Sequence, residues 1–406
     1  MAGEDNDRHR VPAVVHFSTG AVVVLFVALL SWSLHNGPIL RDLQTTSLDM
    51  LFLSHKKIQG YNDIAVVSIT DQDYADLFHR QSPLNVPILS DLIVACARSG
   101  ARVIGVDMIT SDWTAEQRQS ARDRSIAAAP KVRIVWADDG WPDDQGKLHI
   151  NQLSGLDEQG HVDCQAVPAA IPDDHGIVRG YLPGVQVADG NTPQVLPAMA
   201  TILYDIYQNG LPGCAPEGVL PAANTSDEQI VNYSGGGAAF PYLSAATVLQ
   251  ASNGEAWINA NPLRGHIALI GGSFREGRDR YVTPAGYMDG VDILAQTVLS
   301  NSRPVKATSR LWFTLSDLFV GMLLLTSTWF LHRAWVLILS FLLIPIIAMA
   351  ASYVVFTGFG YFASFVPVIA GVFLHHLVEH AIEHWRLTKE VQELRRIAGR
   401  PFQPTT

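Results

Sequence analysis

The chain contains, at residues 64–110, the stretch IAVVSITDQDYADLFHRQSPLNVPILSDLIVACARSGARVIGVDMIT. Its first seven residues are mostly apolar and β-branched and predict a strand, residues 86–98 have helical spacing, and residues 102–110 predict a second strand. A strand, a helix and a strand at this spacing are typical of a right-handed crossover between parallel strands. The stretch therefore predicts an α/β fold with a mostly parallel or mixed sheet.

The alternation of strands and helices continues along the chain. We predict further helices at residues 113–128, 195–208, 243–251 and 291–300, and further strands at residues 132–137, 177–181, 229–233 and 266–271. Residues 138–172 are rich in Asp, Gly and Pro and form an insertion for which the pattern indicates no particular structure. A single α/β domain at residues 35–310 accounts for this order.

Four long apolar runs flank this domain, at residues 11–34, 311–331, 334–356 and 360–380. Each is long enough to cross a hydrocarbon core of ~30 Å as a helix. Lys and Arg beside the runs favour a cytoplasmic location for residues 1–10 and 381–406 by the positive-inside rule. The sequence thus predicts a multi-pass protein of the bacterial plasma (inner) membrane, in contact with lipid, with both termini inside and residues 35–310 outside. A cleaved signal peptide is the alternative for the first run, but that run is too long and lacks a small-residue cleavage motif.

The composition agrees with a membrane protein, because 48% of the residues are hydrophobic and only 16% are charged. The formal net charge of -10 gives the protein no electrostatic attraction for nucleic acid, so we expect no nucleic-acid partner. Three cysteines are too few for a disulfide framework. Cys96 falls in an apolar helical stretch and is predicted to be a buried thiol. Cys164 and Cys214 lie in loop-like sequence and either pair or stay free, since spacing does not decide this.

Six ordered stretches of the outer domain resemble a known family, the cyclase/histidine-kinase-associated sensory extracellular domain of the second type. They are AVVSITDQDYADL (65–77), GARVIGVDMI (100–109), DDHGIVRGY (173–181), IVNYSG (230–235), FPYLSAATVL (240–249) and LRGHIALIGGSFREGRDRYVTPAGYMDGVDILAQTVLSN (263–301). The resemblance implies an outer sensory domain that is followed by two or three membrane spans and then by a cytoplasmic output module.

The chain departs from the family pattern in two places. Where relatives have a Trp-Pro-Trp-type segment with an Arg, this chain has PLNVPILSDL at residues 83–92. The residues after the last predicted span, 381–406, are too few for a kinase or cyclase, so we expect no fused output domain. We therefore expect a signal-input protein that relays to a separate membrane or cytoplasmic partner, or that acts as a homo-oligomer. A scaffold or accessory subunit without a ligand is the alternative.

Polar groups and glycines follow several predicted strands, where ligands bind in open parallel sheets. We predict an unidentified small ligand at a site formed by Asp71, Asp107, Arg179, Gly271, Gly272, Ser273 and Asp279. The alternative is structural. Asp and Ser at strand ends commonly form turns and helix caps, and Asp279 with Arg179 could form a buried ion pair.

Motifs for catalysis are absent from the sequence. It contains no nucleophile elbow, no H-E-x-x-H and no phosphate-binding G-x-x-x-x-G-K. We therefore expect no enzymatic activity and no cofactor.

Polar residues also occur in and beside the last spans. His376, His380 and His384 recur every four residues on one helix face, where they would bind a metal, sense protons or mark the exit of the helix from the membrane. We favour the exit, because no closing set of metal ligands is evident. Asp317 lies within the second span and is predicted to face the helix bundle, since an acid facing lipid is costly.

A short apolar stripe follows the last span. Four-three spacing, which is typical of a coiled coil, occurs in two sets with a shift between them: Val378, Ile382 and Trp385, and then Leu387, Val391, Leu394 and Ala398. The stripe is too short to form a stable coiled coil by itself, and we predict that it either pairs in a dimer or docks a separate protein.

Overall fold

The structure is a computed structural model of the chain. It describes residues 22, 24–25, 29, 38–54, 63–108, 110, 113–128, 132–137, 140–142, 148–150, 163–189, 192–210, 228–233, 240–308, 310–330 and 333–398. The chain divides into two compact units. The α/β unit comprises Phe52–Lys306, and the helical unit comprises Met1–Leu51 with Ala307–Thr406.

The described helices and strands alternate through the α/β unit. The helices are α1 (Pro38–Ser54), α2 (Asp71–Asp76), α3 (Val86–Arg98), α4 (Ala115–Ala128), α5 (Met199–Asn209), α6 (Ala245–Ala251), α7 (Glu255–Asn259), α8 (Gly290–Ser302), α9 (Arg310–Phe330), α10 (Arg333–Phe359) and α11 (Val366–Ala398). The strands are β1 (Ile64–Ile69), β2 (Val103–Asp107), β3 (Arg133–Ala137), β4 (Gly140–Pro142), β5 (Leu148–Ile150), β6 (Asp163–Ala166), β7 (Ala170–Pro172), β8 (Val178–Tyr181), β9 (Gly184–Asp189), β10 (Thr192–Pro197), β11 (Gln229–Ile230), β12 (Tyr242–Ser244), β13 (Ile267–Gly272), β14 (Arg280–Thr283), β15 (Gly286–Asp289), β16 (Lys306–Ala307) and β17 (Tyr361–Phe362).

A six-stranded sheet forms the centre of the α/β unit, in the strand order β12-β1-β13-β2-β3-β6. Each neighbouring pair in this sheet is parallel. All six residues of β1 are buried, as expected for an apolar strand that is covered on both faces. The predicted α/β class and the mostly parallel sheet are thus confirmed.

Helices cover both faces of the sheet because side chains of a strand alternate between its two faces. In β1, Ala65, Val67 and Ile69 belong to the core that also contains α3, α4 and α6. Ile64 and Val66 belong to the opposite core, which contains α5 and α8. The loop after each strand therefore turns toward the face of the sheet on which the next helix packs.

Most predicted elements occur within a few residues of their predicted bounds, and three of the predicted helices begin later than expected. The helix predicted at residues 113–128 begins at Ala115. The helix predicted at residues 195–208 begins at Met199, because residues 195–197 belong to β10, which pairs with β9. Pro197 also lacks the N–H that a helix interior needs. The helix predicted at residues 243–251 begins at Ala245. Ser244 ends β12 and caps this helix by accepting a hydrogen bond from the N–H of Thr247.

Three smaller sheets accompany the main sheet in the α/β unit. Their strand orders are β10-β9-β5-β4, β11-β8-β7 and the hairpin β14-β15. The insertion at residues 138–172 contributes β4, β5 and β7 to them and adds β6 to the edge of the main sheet.

The cysteines of the α/β unit differ in state. Cys96 is a buried free thiol, as predicted, and burial raises its pKa to about 12. Cys164, in β6, is buried and disulfide-bonded. Cys214 lies outside the described residues. A disulfide in this unit fits an oxidising compartment, as expected for a domain outside the cytoplasm.

The helical unit contains long helices at the positions of the later apolar runs. Helices α9 and α10 cover the runs predicted at residues 311–331 and 334–356. The predicted run at 360–380 is helical only from Val366, because Gly360 adopts a left-handed φ of 69° after α10 and β17 follows it. Of the run at 11–34, the described residues 22, 24, 25 and 29 are helical.

One helix segment of the described chain, Leu342–Phe359, is long and apolar enough to cross a membrane by length and composition. Close packing within the unit is visible at Gly321 of α9, which is buried. A Cβ atom there would lie 2.8 Å from Cγ1 of Val24. Small residues permit such close approach between helices in membranes.

Candidate functional site

The carboxyl edge of the main sheet has the geometry of a binding crevice. Strands β1 and β2 lead into α2 and α4 on one face, whereas β13 leads through the β14-β15 hairpin into α8 on the other face. Neighbouring loops that leave a parallel sheet in opposite directions open a crevice between them, where ligands of such sheets bind. The loops after β1, β2 and β13 therefore surround the candidate site.

Asp107 is the last residue of β2, and it pairs in register with Gly271 of β13. Desolvation of its carboxyl group, together with repulsion from the negative charge of Asp279, raises the pKa of Asp107 to about 7. The group consequently exchanges its proton near neutral pH. Perturbed carboxyl groups of this kind are enriched at functional sites.

Asp279 follows β13 and lies against the first residue of α8. A Cβ atom on Gly290 would overlap with the Asp279 carboxyl group, so the close approach requires glycine at this position. Burial and the nearby charge of Asp289 raise the pKa of Asp279, while hydrogen bonds from the Tyr281 hydroxyl and the Gly290 N–H partly oppose this rise.

The first turn of α8 adds two more carboxyl groups. Asp289 is the N-cap residue, and Asp292 lies three residues further on and accepts a hydrogen bond from the Asp289 N–H. Burial raises the pKa of Asp292 to about 6. Its Oδ1 atom is buried and has no hydrogen-bond donor among the described residues. Arg280 lies 3.8 Å from Asp289 and partly balances the charge.

Asp71, the first residue of α2, is tied to the loop after β13. Its Oδ1 accepts a hydrogen bond of 2.8 Å from the N–H of Arg275, and the Arg275 side chain lies 3.5 Å from Oδ2. Desolvation, together with the charge of Asp71, raises the pKa of Asp289. Asp71 therefore adds negative charge beside Asp289, although its side chain is more exposed than that of Asp289. The backbone contact indicates that Asp71 also holds the loop in place.

The two glycines at the end of β13 and the serine that follows the strand have mainly steric and backbone roles. A Cβ atom on Gly271 would lie 2.5 Å from Val291 Cβ, and one on Gly272 would lie 2.7 Å from the Phe274 ring. The N–H of Ser273 donates to the Ile69 carbonyl at 3.0 Å, which extends the pairing of β13 with β1. These residues let the loop and α8 pack closely against the sheet.

Arg179 lies elsewhere, on β8 of the three-stranded sheet β11-β8-β7. Its guanidinium forms a largely buried ion pair with Asp173, whose carboxylate also accepts hydrogen bonds from the N–H groups of His175 and Ile177. Burial alone would raise the pKa of Asp173, but these hydrogen bonds and the Arg179 charge hold it below its usual value. The ion pair considered from the sequence was Asp279 with Arg179, whereas the structure pairs Arg179 with Asp173.

The structure thus brings Asp71, Asp107, Gly271, Gly272, Ser273 and Asp279 to one edge of the sheet. It adds Asp289, Asp292 and Tyr281, which the sequence did not single out. We call Asp107, Asp279, Asp289 and Asp292 the acidic edge cluster. Acidic residues are common in the first turn of a helix. The sequence M-D-G-V-D therefore did not distinguish Asp289 and Asp292 from ordinary residues at a helix start.

The remaining polar candidates belong to the helical unit. His376 is buried, whereas His380 and His384 are exposed on α11. Within the described residues no group of three His, Cys, Asp or Glu side chains is placed to hold a metal ion. Asp317 lies in α9, and its side chain is outside the described residues.

Comparison with known proteins identifies the family of the chain. No curated protein and no solved structure matches the chain. The CHASE2 domain, a sensory domain of signalling proteins, matches residues 21–343, which include the whole α/β unit, α9 and the first part of α10. This match covers most of the chain. The fold of the chain and its six ordered sequence stretches agree with the match. The chain therefore belongs to the CHASE2 domain family.

Proposed function

We propose that the protein is a membrane receptor whose α/β unit binds a small polar ligand at the carboxyl edge of its main sheet. The single observation that supports this proposal most strongly is the raised pKa of Asp107 beside Asp279 in a crevice formed by three loops. Holding carboxyl groups together in a desolvated place costs stability, and such a cost is typical of functional sites.

The chemistry of the edge favours a particular kind of ligand. The acidic edge cluster offers acceptors, and Asp292 Oδ1 lacks a donor among the described residues. Tyr281 and Tyr287 on the β14-β15 hairpin are exposed and add aromatic surface beside it. A ligand that presents hydrogen-bond donors or a positive charge would complement these groups. We propose no catalytic step and no cofactor for this site.

A thermal-shift experiment tests ligand binding. We expect a low-molecular-mass envelope extract to raise the melting temperature of the purified full chain, because a ligand that binds the folded state stabilises it by mass action. Asp107→Asn should reduce this ligand-dependent increment. Asp76→Asn, at the exposed end of α2, is the matched control and should leave the increment unchanged.

Two outcomes would contradict the receptor proposal. An increment that is equal in the wild type and in variants of Asp107 and Asp279 would place any ligand elsewhere. Chemical conversion of the ligand would instead indicate an enzyme, since neighbouring carboxyl groups of unequal pKa also support acid–base catalysis. Absence of any increment would favour the second candidate, a scaffold or accessory subunit of a membrane complex.

We further propose that four spans anchor the receptor, at residues 11–34, 311–331, 334–356 and 360–380, and that the signal passes through them to a separate partner or a second copy. The apolar composition of these runs and the positions of Lys and Arg support this topology. The later start of α11 leaves Val366 as the first helical residue of the last span.

Reporter fusions test the topology. A fluorescent or phosphatase reporter fused after residue 406 should indicate the cytoplasm, and one inserted within residues 138–160 should indicate the outside. An outside signal from the carboxyl-terminal fusion would overturn the four-span proposal.

A further inference from the structure

Helix α11 presents one continuous stripe of side chains at coiled-coil spacing. Leu377, His380, His384, Leu387, Val391 and Leu394 follow each other at alternating intervals of three and four residues. Alternating three-four spacing keeps a stripe on one face of a helix and forms the a and d positions of a heptad. The stripe continues without a helix break through the two histidines, which joins the short apolar pattern after the span to the span itself.

The carboxyl-terminal half of this stripe is exposed, and it lies in the segment that we propose to be in the cytoplasm. Leu387, Val391 and Leu394 expose 55%, 47% and 63% of their surface. Three large apolar side chains aligned on one helix face are an unfavourable surface unless a partner covers them. The opposite face carries Trp385, and the Lys389 ammonium lies 3.8 Å from the centre of its ring.

Charges beside the stripe indicate what the partner is. Glu390 occupies a g position and Arg395 the e position of the next heptad, five residues later. In two parallel helices in register, the g residue of one copy lies opposite this e residue of the other, so Glu390 would face Arg395 across the interface twice. The chain is therefore complementary to itself in this arrangement.

We propose that α11 forms a parallel, in-register two-stranded coiled coil with a second copy of this chain along this stripe. The inference rests on the proposed topology, because two copies inserted in the same orientation can only present α11 in parallel. A stripe of about three heptads is marginal for helices in free solution. Anchoring in one membrane raises the effective concentration and favours pairing.

His380 and His384 occupy the d and a positions between the apolar layers and would form a polar layer. Polar residues in a coiled-coil core lower stability and restrict the register, because a shifted pairing would bury imidazole against leucine. This layer lies at the point where the proposed span ends. It would therefore align the two copies at the inner membrane surface.

Cysteine crosslinking in membranes tests the pairing with the full chain. Two versions of the protein that carry different tags are co-expressed with Leu387→Cys or Leu394→Cys and oxidised with copper phenanthroline. We expect disulfide-linked products that contain both tags at both positions, because same-position crosslinks one heptad apart require parallel helices in register. Lys389→Cys, on the opposite face, should give a crosslink yield that is lower by about fivefold or more. The unsubstituted chain measures any background from its own cysteines.

A charge exchange provides an independent readout. Glu390→Arg and Arg395→Glu should each lower the Leu394→Cys crosslink yield by about twofold or more, and the double exchange should restore it.

Two results would overturn the proposal. Equal yields at Leu387, Lys389 and Leu394 would show collision without a defined interface, and products that join one tag to a different protein would show that another helix occupies the stripe. Failure of ligand binding would leave these crosslinks unchanged, since the experiment uses no ligand. The two proposals therefore fail separately.

Discussion

Asp107→Asn is expected to stabilise the α/β unit at pH 8, by about 2 kcal/mol, and to raise its melting temperature by several degrees. In the folded chain the carboxyl group is desolvated and repelled by Asp279, which raises its pKa from 3.8 to about 7. The ionised form is thus unfavourable in the folded state. Asn has almost the same shape and removes the charge, so the unfavourable interaction disappears.

The same pKa predicts how stability depends on pH. Between pH 4 and 7 the folded state retains a proton on Asp107 that the unfolded chain has already released, so the free energy of unfolding falls as the pH rises. Asp292, with a pKa raised to about 6, contributes with the same sign. The wild type should therefore melt at a higher temperature at pH 5 than at pH 8, and Asp107→Asn should flatten this difference.

Thermal unfolding of the full chain in detergent, followed by tryptophan fluorescence at both pH values, measures these effects. Asp76→Asn again serves as the control and should change neither the melting temperature nor its pH dependence. A lower melting temperature of Asp107→Asn at pH 8 would contradict the expectation, because it would mean that the folded state stabilises the ionised carboxylate.

Arg179→Met is expected to destabilise the α/β unit by about 3 kcal/mol. It removes the cation of an ion pair in which the side chains of Arg179 and Asp173 are only 10% and 17% exposed. The loss leaves a largely buried carboxylate that retains two backbone hydrogen bonds but no counter-charge, and breaking such a pair is costly.

A second ion pair on the same unit provides the control. Arg124 and Asp91 pair across the surface with side chains that are 47% and 51% exposed, so Arg124→Met should cost less than about 1 kcal/mol. The difference between the two variants should shrink progressively as the pH falls below the ordinary Asp pKa and through the lower folded-state pKa of Asp173, because the carboxyl group is then protonated in the folded state as well. Equal effects of the two substitutions at pH 7 would contradict a stabilising role for the buried pair.

The Arg179 variant also bears on the candidate site. If Arg179 only ties the DDHG turn to β8, Arg179→Met should lower the melting temperature and leave the ligand-dependent increment intact. If Arg179 contacts the ligand, the increment should disappear as well. The position of Arg179 in a separate sheet favours the first result.

The sequence by itself determined the class of the fold and most of its elements. The strand at Ile64–Ile69 is a continuous apolar run rich in β-branched residues, and the helix at Val86–Arg98 has a strong helical periodicity. Strand-helix-strand spacing leaves few connections other than parallel crossovers. The order of six short stretches was enough to identify the family. These features depend on neighbours along the chain, which a single sequence displays.

Only the tertiary structure decided which distant residues meet. Strand β13 lies between β1 and β2, although 159 residues, 108–266, separate β2 from β13 in the chain. This placement brings Asp279 beside Asp107. Likewise, the partner of Arg179 is Asp173 and not Asp279. Long-range pairing depends on the order of strands in the sheet and on the packing of α8, and neither leaves a periodic signal in the sequence. The shape of the acidic edge cluster, and with it the raised pKa values, follows from that packing.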